Sequence, residues 1–410
     1  MGTKHSVHFW SSTEYSGFLE RLVQELQTRG FYARQRFQIS EASYRAAKSS
    51  LSRLWLRVRQ YLIYPIQLTA TLLFERLTRR QADVCVVSTN TFYAPLLATY
   101  LNRNVVHLVY DLFPEAMIHS GKWRADSLKA KLVRWITRQT LKRARQNVFL
   151  GQHLRDSVES QYGSLTNATI IEVGADQTLF REPVCRKNDG HSEVESTHES
   201  PIEILYCGNF GNLHDSATLF QYWNKVAGSL KFEEGSLKEG ALGLKWTFHC
   251  SGPKRVELVT IRENLSSSLK DSIQICGGLE QAEWVAAMRT ANIALVTMAP
   301  GSETVVMPSK TYSAMMAGQA VLVIAPESSD LVDTIQKAVC GWWVEPGDVS
   351  GLEKVLKAIS SNPEEVLKKR TRAYQYAHEH FGQDALAKKW QVLFESMILE
   401  NGAEPTNSTE

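Results

Sequence analysis

The sequence VVMPSKTYSAMMAGQAVLVIA, residues 305–325, joins a loop, a short helix and a buried strand. Residues 305–310 have no regular periodicity and form the predicted loop. The small and flexible apolar side chains of residues 311–317 favour a tightly packed helix, which Gly318 is expected to end. Residues 321–325 are apolar and rich in β-branched side chains, as in a buried strand. The order predicts a loop–helix–strand unit of an α/β fold.

The start of that short helix is a candidate anion site. A loop leading into a helix presents free backbone N–H groups and the positive end of the helix dipole. Such a helix start suits an anion such as a diphosphate. Ser309 adds a hydroxyl donor there, and Lys310 adds a full positive charge. An ordinary α/β loop without a ligand also fits this stretch alone, so both interpretations stay open here.

Length and composition predict a globular protein of two domains. A chain of 410 residues with 43% hydrophobic and 22% charged residues is too long for one ordinary core. A polar stretch of mixed charge and no periodicity, residues 181–200, is typical of a linker. We predict domains at residues 1–180 and 201–372, a closing helix at residues 373–399, and a disordered tail at residues 400–410.

The cysteines and the N-terminal residues indicate the cellular compartment of the protein. The six cysteines all lie more than four residues apart, whereas zinc knuckles and redox pairs need close spacing. Unpaired thiols suit a reducing cytosol. The first residues lack the apolar core of a signal peptide. The longest apolar run, residues 61–74, is shorter than the roughly 20 residues of a membrane span. We expect a cytoplasmic protein.

Two segments concentrate basic residues, although the net charge of +3 gives no case for a nucleic-acid partner. Residues 42–80 mix arginines with leucines and a tryptophan in a helical pattern that we expect to break near Pro65. Residues 122–145 hold nine basic residues and one acid. Such helices suit the surface of an anionic membrane, so a peripheral membrane protein is one interpretation. A helix that covers a sheet and turns its charges to water is the other.

Short β-rich runs alternate with helical patterns through both halves of the chain. Such alternation is typical of parallel sheets with helices on both faces. We predict an α/β fold of two Rossmann-like β/α/β domains that face each other across a cleft, with the C-terminal helix crossing back. Ligands of such sheets bind at the carboxyl ends of the strands.

Three polar loops of the second half each follow a predicted strand. Residues 207–211 read CGNFG, and the two glycines free the backbone for close approach to a ligand. Residues 251–255 read SGPKR and supply Lys254 and Arg255, while residues 307–310 read MPSK. Cationic side chains beside helix-start N–H groups suit a diphosphate. We expect the three loops to converge on one anion.

Taken together, strand-CGNFG-x-x-H, strand-SGPKR and strand-loop-PSKxY-x-x-x-x-AG-x-x-V resemble the carboxyl domain of retaining glycosyltransferases of the two-Rossmann-domain (GT-B) type. More narrowly, the chain is similar to bacterial sugar transferases of family 4 that build surface polysaccharides such as lipopolysaccharide, including the fucosamine-transferase-like branch. The motifs DLFPE and VGADQTLF of the first half fit the same pattern. The likeness covers residues 5–395, and the second half carries most of it.

The resemblance implies an enzyme that moves a hexosyl or N-acetylhexosaminyl group from a nucleotide-diphosphate sugar to a lipid-linked or polysaccharide acceptor, with retention. The second domain would hold the donor, with the base and ribose near residues 277–279. The implied donor-binding residues are Gly208, Asn209, Gly211, Lys254, Arg255, Ser309, Lys310 and Tyr312, the last through its backbone N–H.

The same resemblance gives the first domain the acceptor. The loop at residues 11–17, with Tyr15 and Gly17, and the turn at residues 111–115 would bind it. Both segments follow predicted strands, where ligands of α/β sheets bind.

The chain departs from its relatives at two points. Many relatives carry two glutamates eight residues apart, where this chain has Val305 and Ser313, which puts the ribose contact in doubt. Several place a catalytic histidine after the fourth strand, where this chain has Asp111 with Glu115 close by. Asp111 and Glu115 are therefore the candidate catalytic residues, to steer the acceptor or support an oxocarbenium-like state. A structural turn or helix-capping role for Asp111 stays open.

No Asp-x-Asp pair follows a predicted strand, although transferases that hold the diphosphate through a metal depend on one. We expect no metal and no cofactor, with cations and a helix dipole stabilising the leaving diphosphate. Double displacement needs two close carboxylates, and Asp111 lacks a convincing second one. The family suggests a front-face reaction, in which the leaving phosphate helps to deprotonate the acceptor.

Other functions remain open. A sugar-nucleotide epimerase on the same scaffold would need acid and base carboxylates around the sugar, which the second half does not obviously supply. A non-catalytic glycosyltransferase-like partner would explain the missing glutamate pair. A dinucleotide-dependent dehydrogenase fits less well, because residues 11–17 contain a single glycine instead of G-x-G-x-x-G.

Overall fold

The computed structural model describes residues 5–14, 18–40, 42, 43, 47, 49–181, 201–230, 243–305 and 307–402. The predicted linker, except residue 181, and most of the predicted tail lie outside these residues. The chain forms two compact units. The first takes its described residues from 5–173, 305–307 and 382–402, and the second takes them from 174–304 and 308–381.

The first unit is built on a six-stranded parallel sheet with the order β2-β1-β3-β4-β5-β6. Its strands are β1 (Ser6–Thr13), β2 (Tyr32–Ile39), β3 (Val84–Ser88), β4 (Val105–Val109), β5 (Gln146–Phe149) and β6 (Ala168–Ile170). Its helices begin with α1 (Phe18–Thr28), α2 (Ser50–Val58), α3 (Tyr64–Leu77), α4 (Ala94–Leu101), α5 (Glu115–His119), α6 (Leu128–Arg143) and α7 (Gln152–Tyr162).

Helices cover both faces of this sheet because successive strand residues point to opposite sides. Val84 and Val86 of β3 pack with α1 and with the C-terminal helix Gln383–Gly402. Cys85 and Val87 point the other way and pack with α3 and α4. Both sets are buried, as parallel sheets require.

The helical region before β3 does not break at Pro65, so that prediction is wrong. A π-helical turn, Arg59–Ile63, joins α2 to α3, and Pro65 lies in the first turn of α3. The turn leaves carbonyls without a helical donor, because proline has no N–H. The Thr91 hydroxyl donates to the Gln60 carbonyl at 3.0 Å, and the Tyr93 hydroxyl donates to the Tyr61 carbonyl. Side chains from a neighbouring loop thereby keep the helix continuous. None of the described helices has the length and hydropathy needed to cross a bilayer.

The second unit contains a parallel sheet of the order β12-β11-β10-β7-β8-β9. Its strands are β7 (Ile202–Asn209), β8 (Leu244–Ser251), β9 (Ile273–Cys276), β10 (Ile293–Thr297), β11 (Ala320–Ile324) and β12 (Gly341–Val344). Its helices are α8 (Ala217–Leu230), α9 (Lys254–Glu263), α10 (Ser267–Ser272), α11 (Gln281–Thr290), α12 (Lys310–Met316), α13 (Asp330–Ala338), α14 (Val349–Ser361) and α15 (Pro363–His380), with single 3₁₀ turns at Gln177–Phe180 and Ser302–Thr304.

The strand order of the second unit reverses between β7 and β10. The chain adds strands outward on one side through β9 and then on the other side from β10. A crevice forms at the carboxyl ends of the strands at such a switch point. The loops after β7 and β10 are therefore in the position where an α/β sheet binds its ligand, and the predicted pair of Rossmann-like sheets is confirmed.

The predicted closing helix is in fact two helices. Phe381 leaves helical geometry, with φ −119° and ψ 3°, and ends α15. Its ring packs against Tyr312 in the second unit, with ring centroids 4.6 Å apart. The following helix, α16 (Gln383–Gly402), places Trp390 and Phe394 on Phe9 of the first unit. The end of the chain thus completes the core of the first unit, as the predicted crossing requires.

Truncating Phe394 to Ala should destabilise the first unit, because this fully buried ring contacts Phe9 and Phe31. We expect a loss of about 3–5 kcal/mol in the free energy of unfolding, measured by urea denaturation. Val392 on the same helix is 68% exposed, so Val392→Ala is the matched control and should change stability by less than about 0.5 kcal/mol. Equal effects of the two substitutions would contradict this packing.

Candidate functional site

The loops after β7 and β8 are joined directly. The Phe210 N–H donates to the Ser251 carbonyl at 2.6 Å, and the Lys254 N–H donates to the Phe210 carbonyl at 3.1 Å. Gly208 and Gly252 both adopt positive φ, at +125° and +103°, which side chains disfavour. A Cβ at Gly252 would lie 2.4 Å from the Asn209 Oδ1. The two loops therefore approach as closely as glycine permits.

Lys310, the first residue of α12, reaches into this junction. Its Nζ lies 2.7 Å from the Tyr206 hydroxyl and 4.0 Å from the centre of the Tyr206 ring. The same hydroxyl donates to the Asn209 carbonyl at 2.8 Å. The Lys310 Nζ would also lie 3.9 Å from a Cβ at Gly208. One ammonium group thus connects the MPSK loop to the CGNFG loop, which confirms that these two motifs converge.

Burial lowers the pKa of Lys310 to about 7, against the weaker opposing effect of the Cys207 and Cys250 thiols. Within the described part of the chain, Lys310 forms no ion pair. Near neutral pH the Lys310 amine is therefore only partly protonated. An anion bound beside it would favour the protonated form.

The loop after β10 is fixed to the loop after β7 by three hydrogen bonds. The Ala299 N–H and the Ser302 hydroxyl donate to the Leu213 carbonyl at 2.9 and 3.1 Å. The His214 Nδ1 donates to the Thr297 carbonyl at 2.8 Å. Burial, followed by the nearby Lys310 charge, lowers the pKa of His214 to about 3, so this histidine is neutral and structural.

Arg255 adds a second cation to the same region. Burial raises the pKa of the Cys250 thiol, while the Arg255 and Lys310 charges both act to lower it, so both cations lie near Cys250. Among the residues that the structure describes, no carboxylate pairs with the Arg255 side chain. Ser309 is exposed, and its hydroxyl makes no capping hydrogen bond. A guanidinium, a buried ammonium and a free hydroxyl are suitable groups for a diphosphate.

Two of the predicted donor-binding groups, the Lys254 side chain and the Tyr312 backbone N–H, form hydrogen bonds within the protein. The Lys254 Nζ turns back to the loop before α8 and donates to the His214 carbonyl at 2.8 Å and the Ser216 hydroxyl at 2.9 Å. The Tyr312 ring is buried, and its backbone N–H donates to the Ser309 carbonyl at 3.2 Å. Both groups are hydrogen-bonded within the second unit, and their role in holding the phosphates stays a prediction.

The remaining predicted positions of this unit lie at the same sheet edge. The Asn209 Nδ2 would lie 3.0 Å from a Cβ at Gly211, so the two residues are in contact range. Gly277 and Gly278 follow β9 and are exposed, with nothing within 4 Å of an added Cβ. The His249 ring lies 3.4 Å from the Gly277 carbonyl. The proposed base and ribose region is therefore open.

In the first unit, Asp111 lies two residues after Val109, the last residue of β4. The Thr89 hydroxyl accepts hydrogen bonds from the N–H groups of Tyr110 and Asp111 at 3.0 and 3.3 Å. Burial raises the pKa of Asp111 to about 6. No hydrogen bond or ion pair joins its carboxylate to another residue in the described ranges. The Thr89 hydroxyl thus fixes the backbone at Asp111, and the carboxylate oxygens remain able to accept hydrogen bonds from a ligand.

A small cavity of about 10 Å³ adjoins Asp111, enough for about one water molecule. His107 lines it, and the His107 Nδ1 lies 2.9 Å from the Asn147 Oδ1. Burial lowers the pKa of His107 to about 4, against the Asn147 hydrogen bond. Sequence reasoning missed this histidine, because it occupies a buried strand position.

Glu115 is placed differently from Asp111. Its Oε1 accepts from the Arg134 Nε at 2.9 Å and the Gln161 Nε2 at 2.6 Å, and its Oε2 accepts from the Tyr162 hydroxyl at 3.3 Å. The side chain is buried and joins α5 to α6 and α7. These contacts make Glu115 a structural anchor, because both of its carboxylate oxygens already accept hydrogen bonds from the protein. Tyr15 and Gly17, the predicted acceptor contacts, lie outside the described residues.

Sequence reasoning also missed Tyr206, which orients both Lys310 and the Asn209 carbonyl. Its ring stacks with Phe248 at 5.9 Å and lies 4.9 Å from Phe210. In the sequence it is one more aromatic residue of a buried strand. Only its hydroxyl group, on the strand residue directly before CGNFG, distinguishes it from the others.

No protein-family model matches the chain. A probable glycosyltransferase of Pseudomonas aeruginosa, WbjE, is 22% identical over 316 residues, which are 75% of this chain and 72% of that protein.

Solved structures share the fold over nearly the whole chain. HepE of Anabaena, solved with UDP, has a TM-score of 0.64 at 12% identity and covers 96% of this chain and 100% of its own. WaaG, a glycosyltransferase of lipopolysaccharide biosynthesis, has a TM-score of 0.61 at 13% identity. The match covers 95% of this chain and 99% of WaaG. A putative UDP-N-acetylglucosamine 2-epimerase of Listeria monocytogenes has a lower TM-score of 0.54 at 13% identity, covering 97% and 98%.

Gly252→Ala should displace the CGNFG loop, because the new Cβ would meet both the Asn209 side chain and the Phe210 carbonyl at a positive φ. We expect the free energy of unfolding to fall by about 1–3 kcal/mol, measured by chemical denaturation. Gly228→Ala on α8, where nothing lies within 4 Å of the added Cβ, is the control and should not destabilise. A Gly252→Ala protein as stable as the control would show that the two loops are not in contact.

Proposed function

We propose that this chain is a glycosyltransferase that takes a sugar from a nucleoside-diphosphate sugar held at the edge of the second sheet. The observation that carries the proposal is the buried Lys310 ammonium, which lies beside the backbone of Gly208 and has no anionic partner among the residues described. The P. aeruginosa relative supports the reaction class, and the UDP bound to HepE supports the donor class.

The charge that develops during the reaction explains why Lys310 and Arg255 lie at this site. As the glycosidic bond to the diphosphate breaks, negative charge grows on the leaving phosphate oxygens. Lys310 and Arg255 place cations where this charge develops, and preorganised cations in a partly dry site stabilise it more than water does. The Ser309 hydroxyl adds a neutral donor. These groups act without a metal, and metal independence and retention of configuration are part of the proposal.

Asp111 is proposed to orient the acceptor hydroxyl as a carboxylate, while the leaving phosphate takes the acceptor proton. Its free oxygens and the fixed backbone at Thr89 support this role. Glu115 would keep α5 in place through Arg134 and contact no substrate. The acceptor is proposed to be a lipid-linked or polysaccharide glycan, the class that the family resemblance implies.

A sugar-nucleotide epimerase is the second candidate, because the Listeria protein shares the fold. Arg255 acts with Lys310 on Cys250, and Lys254 acts with Lys310 on His214. Such a group of cations suits a diphosphate better than proton transfer at a sugar carbon. Incubating the protein with UDP-sugars and no acceptor separates the two functions, since only an epimerase accumulates the epimer.

Lys310→Gln should weaken UDP binding by about tenfold or more, since a buried charge-assisted contact is lost, as measured by isothermal titration calorimetry. In the native protein, affinity should fall as pH rises above about 7, because Lys310 with its lowered pKa must take up a proton to pair with the diphosphate. The Gln variant should lose this slope.

Lys337→Gln, a substitution on the exposed surface of α13, is the matched charge control and should keep both the affinity and the pH slope. A Lys310→Gln protein that binds UDP, GDP, ADP and dTDP as the native protein does would overturn the site.

Asp111→Asn should lower kcat about 100-fold and leave UDP affinity unchanged, because Asp111 belongs to the first unit. In the native enzyme, kcat should fall as pH drops through about 6, where Asp111 becomes protonated. The measurement is a pH profile of transfer to a glycan acceptor. Native-like kcat in the Asn variant would remove Asp111 from the mechanism.

A further inference from the structure

Several aromatic side chains meet at the carboxyl end of the first sheet, beside Asp111. Phe92, in the loop between β3 and α4, lies at their centre. Its ring centre is 5.2 Å from that of Tyr93 and 5.9 Å from that of Phe113. The Tyr61 ring centre lies 6.3 Å from it. We define these side chains as the aromatic cluster. Phe92 and Phe113 also line the small cavity that adjoins Asp111.

The loop that contains Phe92 reverses the usual distribution of polar and apolar side chains. Thr89 and Thr91 are 6% and 0% exposed, whereas Phe92 and Tyr93 are only partly buried. The other two rings of the aromatic cluster are partly buried as well. Folding alone favours buried rings and exposed hydroxyl groups. Accessible aromatic rings above buried polar groups are instead typical of a ligand-binding surface.

Hydrogen bonds of the polar groups hold this loop in place. The Thr91 hydroxyl donates to the Gln60 carbonyl at 3.0 Å, and the Gln60 Nε2 donates to the Asn90 carbonyl at 2.8 Å. The Asn90 Nδ2 donates at 2.7 Å to the hydroxyl of Thr13, the last residue of β1. The loop is therefore fixed both to β1 and to the π-helical turn. Rings held in this way lose little conformational freedom when a ligand binds.

The π-helical turn Arg59–Ile63 supplies one ring of the aromatic cluster, that of Tyr61. Such turns are rare within α-helices and frequent at functional sites. The Tyr61 carbonyl accepts a hydrogen bond from the Tyr93 hydroxyl, so two members of the aromatic cluster fix each other. The irregular turn thus has a consequence beyond the continuity of the helix, because it places a tyrosine beside Phe92.

We propose that the aromatic cluster binds the apolar face of a neutral pyranose ring, the acceptor sugar, while Asp111 accepts a hydrogen bond from the hydroxyl group to be glycosylated. One face of a pyranose ring presents C–H groups, which pack on the electron-rich face of an aromatic ring. Phe92 and Asp111 line the same small cavity, so a single sugar ring can contact both. Acceptor recognition by the aromatic cluster rests on the proposed function and deepens it, because it names the part of the acceptor that is bound.

The carboxylate beside the rings favours a sugar over a hydrocarbon chain. A hydrocarbon chain would cover the Asp111 carboxylate with apolar groups and give it no hydrogen-bond donor, which costs free energy. A sugar supplies hydroxyl donors and C–H groups together. An acidic sugar is disfavoured, because its own carboxylate and that of Asp111 would repel each other.

Saturation-transfer NMR of the full chain, without nucleotide, tests sugar binding by the first unit. The probes are the methyl pyranosides of glucose, galactose, N-acetylglucosamine and rhamnose, with methyl glucuronide as the acidic comparison. At least one neutral glycoside should receive saturation, strongest on the C–H protons of one face. Methyl glucuronide should receive less.

Phe92→Leu keeps an apolar side chain and removes the ring, so the Kd of the bound pyranoside should rise about three- to tenfold. Phe92→Tyr keeps the ring and should restore the native affinity. Tyr61→Leu, which leaves the loop between β3 and α4 unchanged, should weaken binding in the same direction. Tyr100→Leu is the matched control and should bind as the native chain does, because the ring is 53% exposed and lies outside the aromatic cluster. Melting temperatures report the folding of each variant.

Octyl glucopyranoside below its micelle concentration separates a sugar from a lipid chain as the occupant. Its ring protons should receive saturation that depends on Phe92. Saturation of the octyl protons alone would assign the aromatic cluster to a lipid chain and overturn the proposal. Native-like pyranoside binding by folded Phe92→Leu and Tyr61→Leu proteins, or no binding of any pyranoside by the native chain, would overturn it as well.

Donor binding is measured separately by UDP titration. UDP affinity should be unchanged in these variants, because the aromatic cluster belongs to the first unit and the proposed donor site to the second. A native chain that binds a pyranoside and no nucleoside diphosphate would remove the proposed donor site and keep the aromatic cluster as a sugar site. The reverse result would keep the donor site and remove the sugar site.

Discussion

The buried ammonium group of Lys310 is the constraint on which the loops of the second sheet depend. Its Nζ contacts the Tyr206 hydroxyl, which in turn holds the Asn209 carbonyl. Burial of a cation without a carboxylate costs stability, as the lowered pKa of Lys310 shows. Binding of an anionic ligand beside Lys310 would compensate this cost in stability. A diphosphate would restore the proton to Lys310, which couples ligand binding to the order of the loops.

The two units carry different chemistry. The second unit places Lys310, Arg255 and glycines with positive φ at a switch point of its sheet. The first unit carries Asp111, whose carboxylate has a raised pKa, and the aromatic cluster beside it. A transferase needs a charge-stabilising donor site and a selective acceptor site, and this division of side chains supplies candidates for both.

The sequence predicts the regular features well, because they depend on local patterns. The apolar run at residues 321–325 predicted a buried strand, and the structure has β11 at Ala320–Ile324. The glycine at position 208 and the lysine at position 310 marked two loops that the structure brings together. Side-chain direction could not be predicted, because it depends on tertiary neighbours. Lys254 points to its own loop and Glu115 points into a helix junction. The effect of Pro65 was misjudged, because hydroxyl groups of a loop that is distant in sequence bond the helix carbonyls that lack a donor.

The most direct test of the central claim is the titration of Lys310 by NMR, with lysine side chains labelled and Lys310→Gln used for assignment. In the free protein, one lysine should titrate near pH 7, and a saturating nucleoside diphosphate should move that titration to higher pH. A Lys310 that titrates as an ordinary exposed lysine, or whose titration does not respond to the nucleotide, would contradict the account.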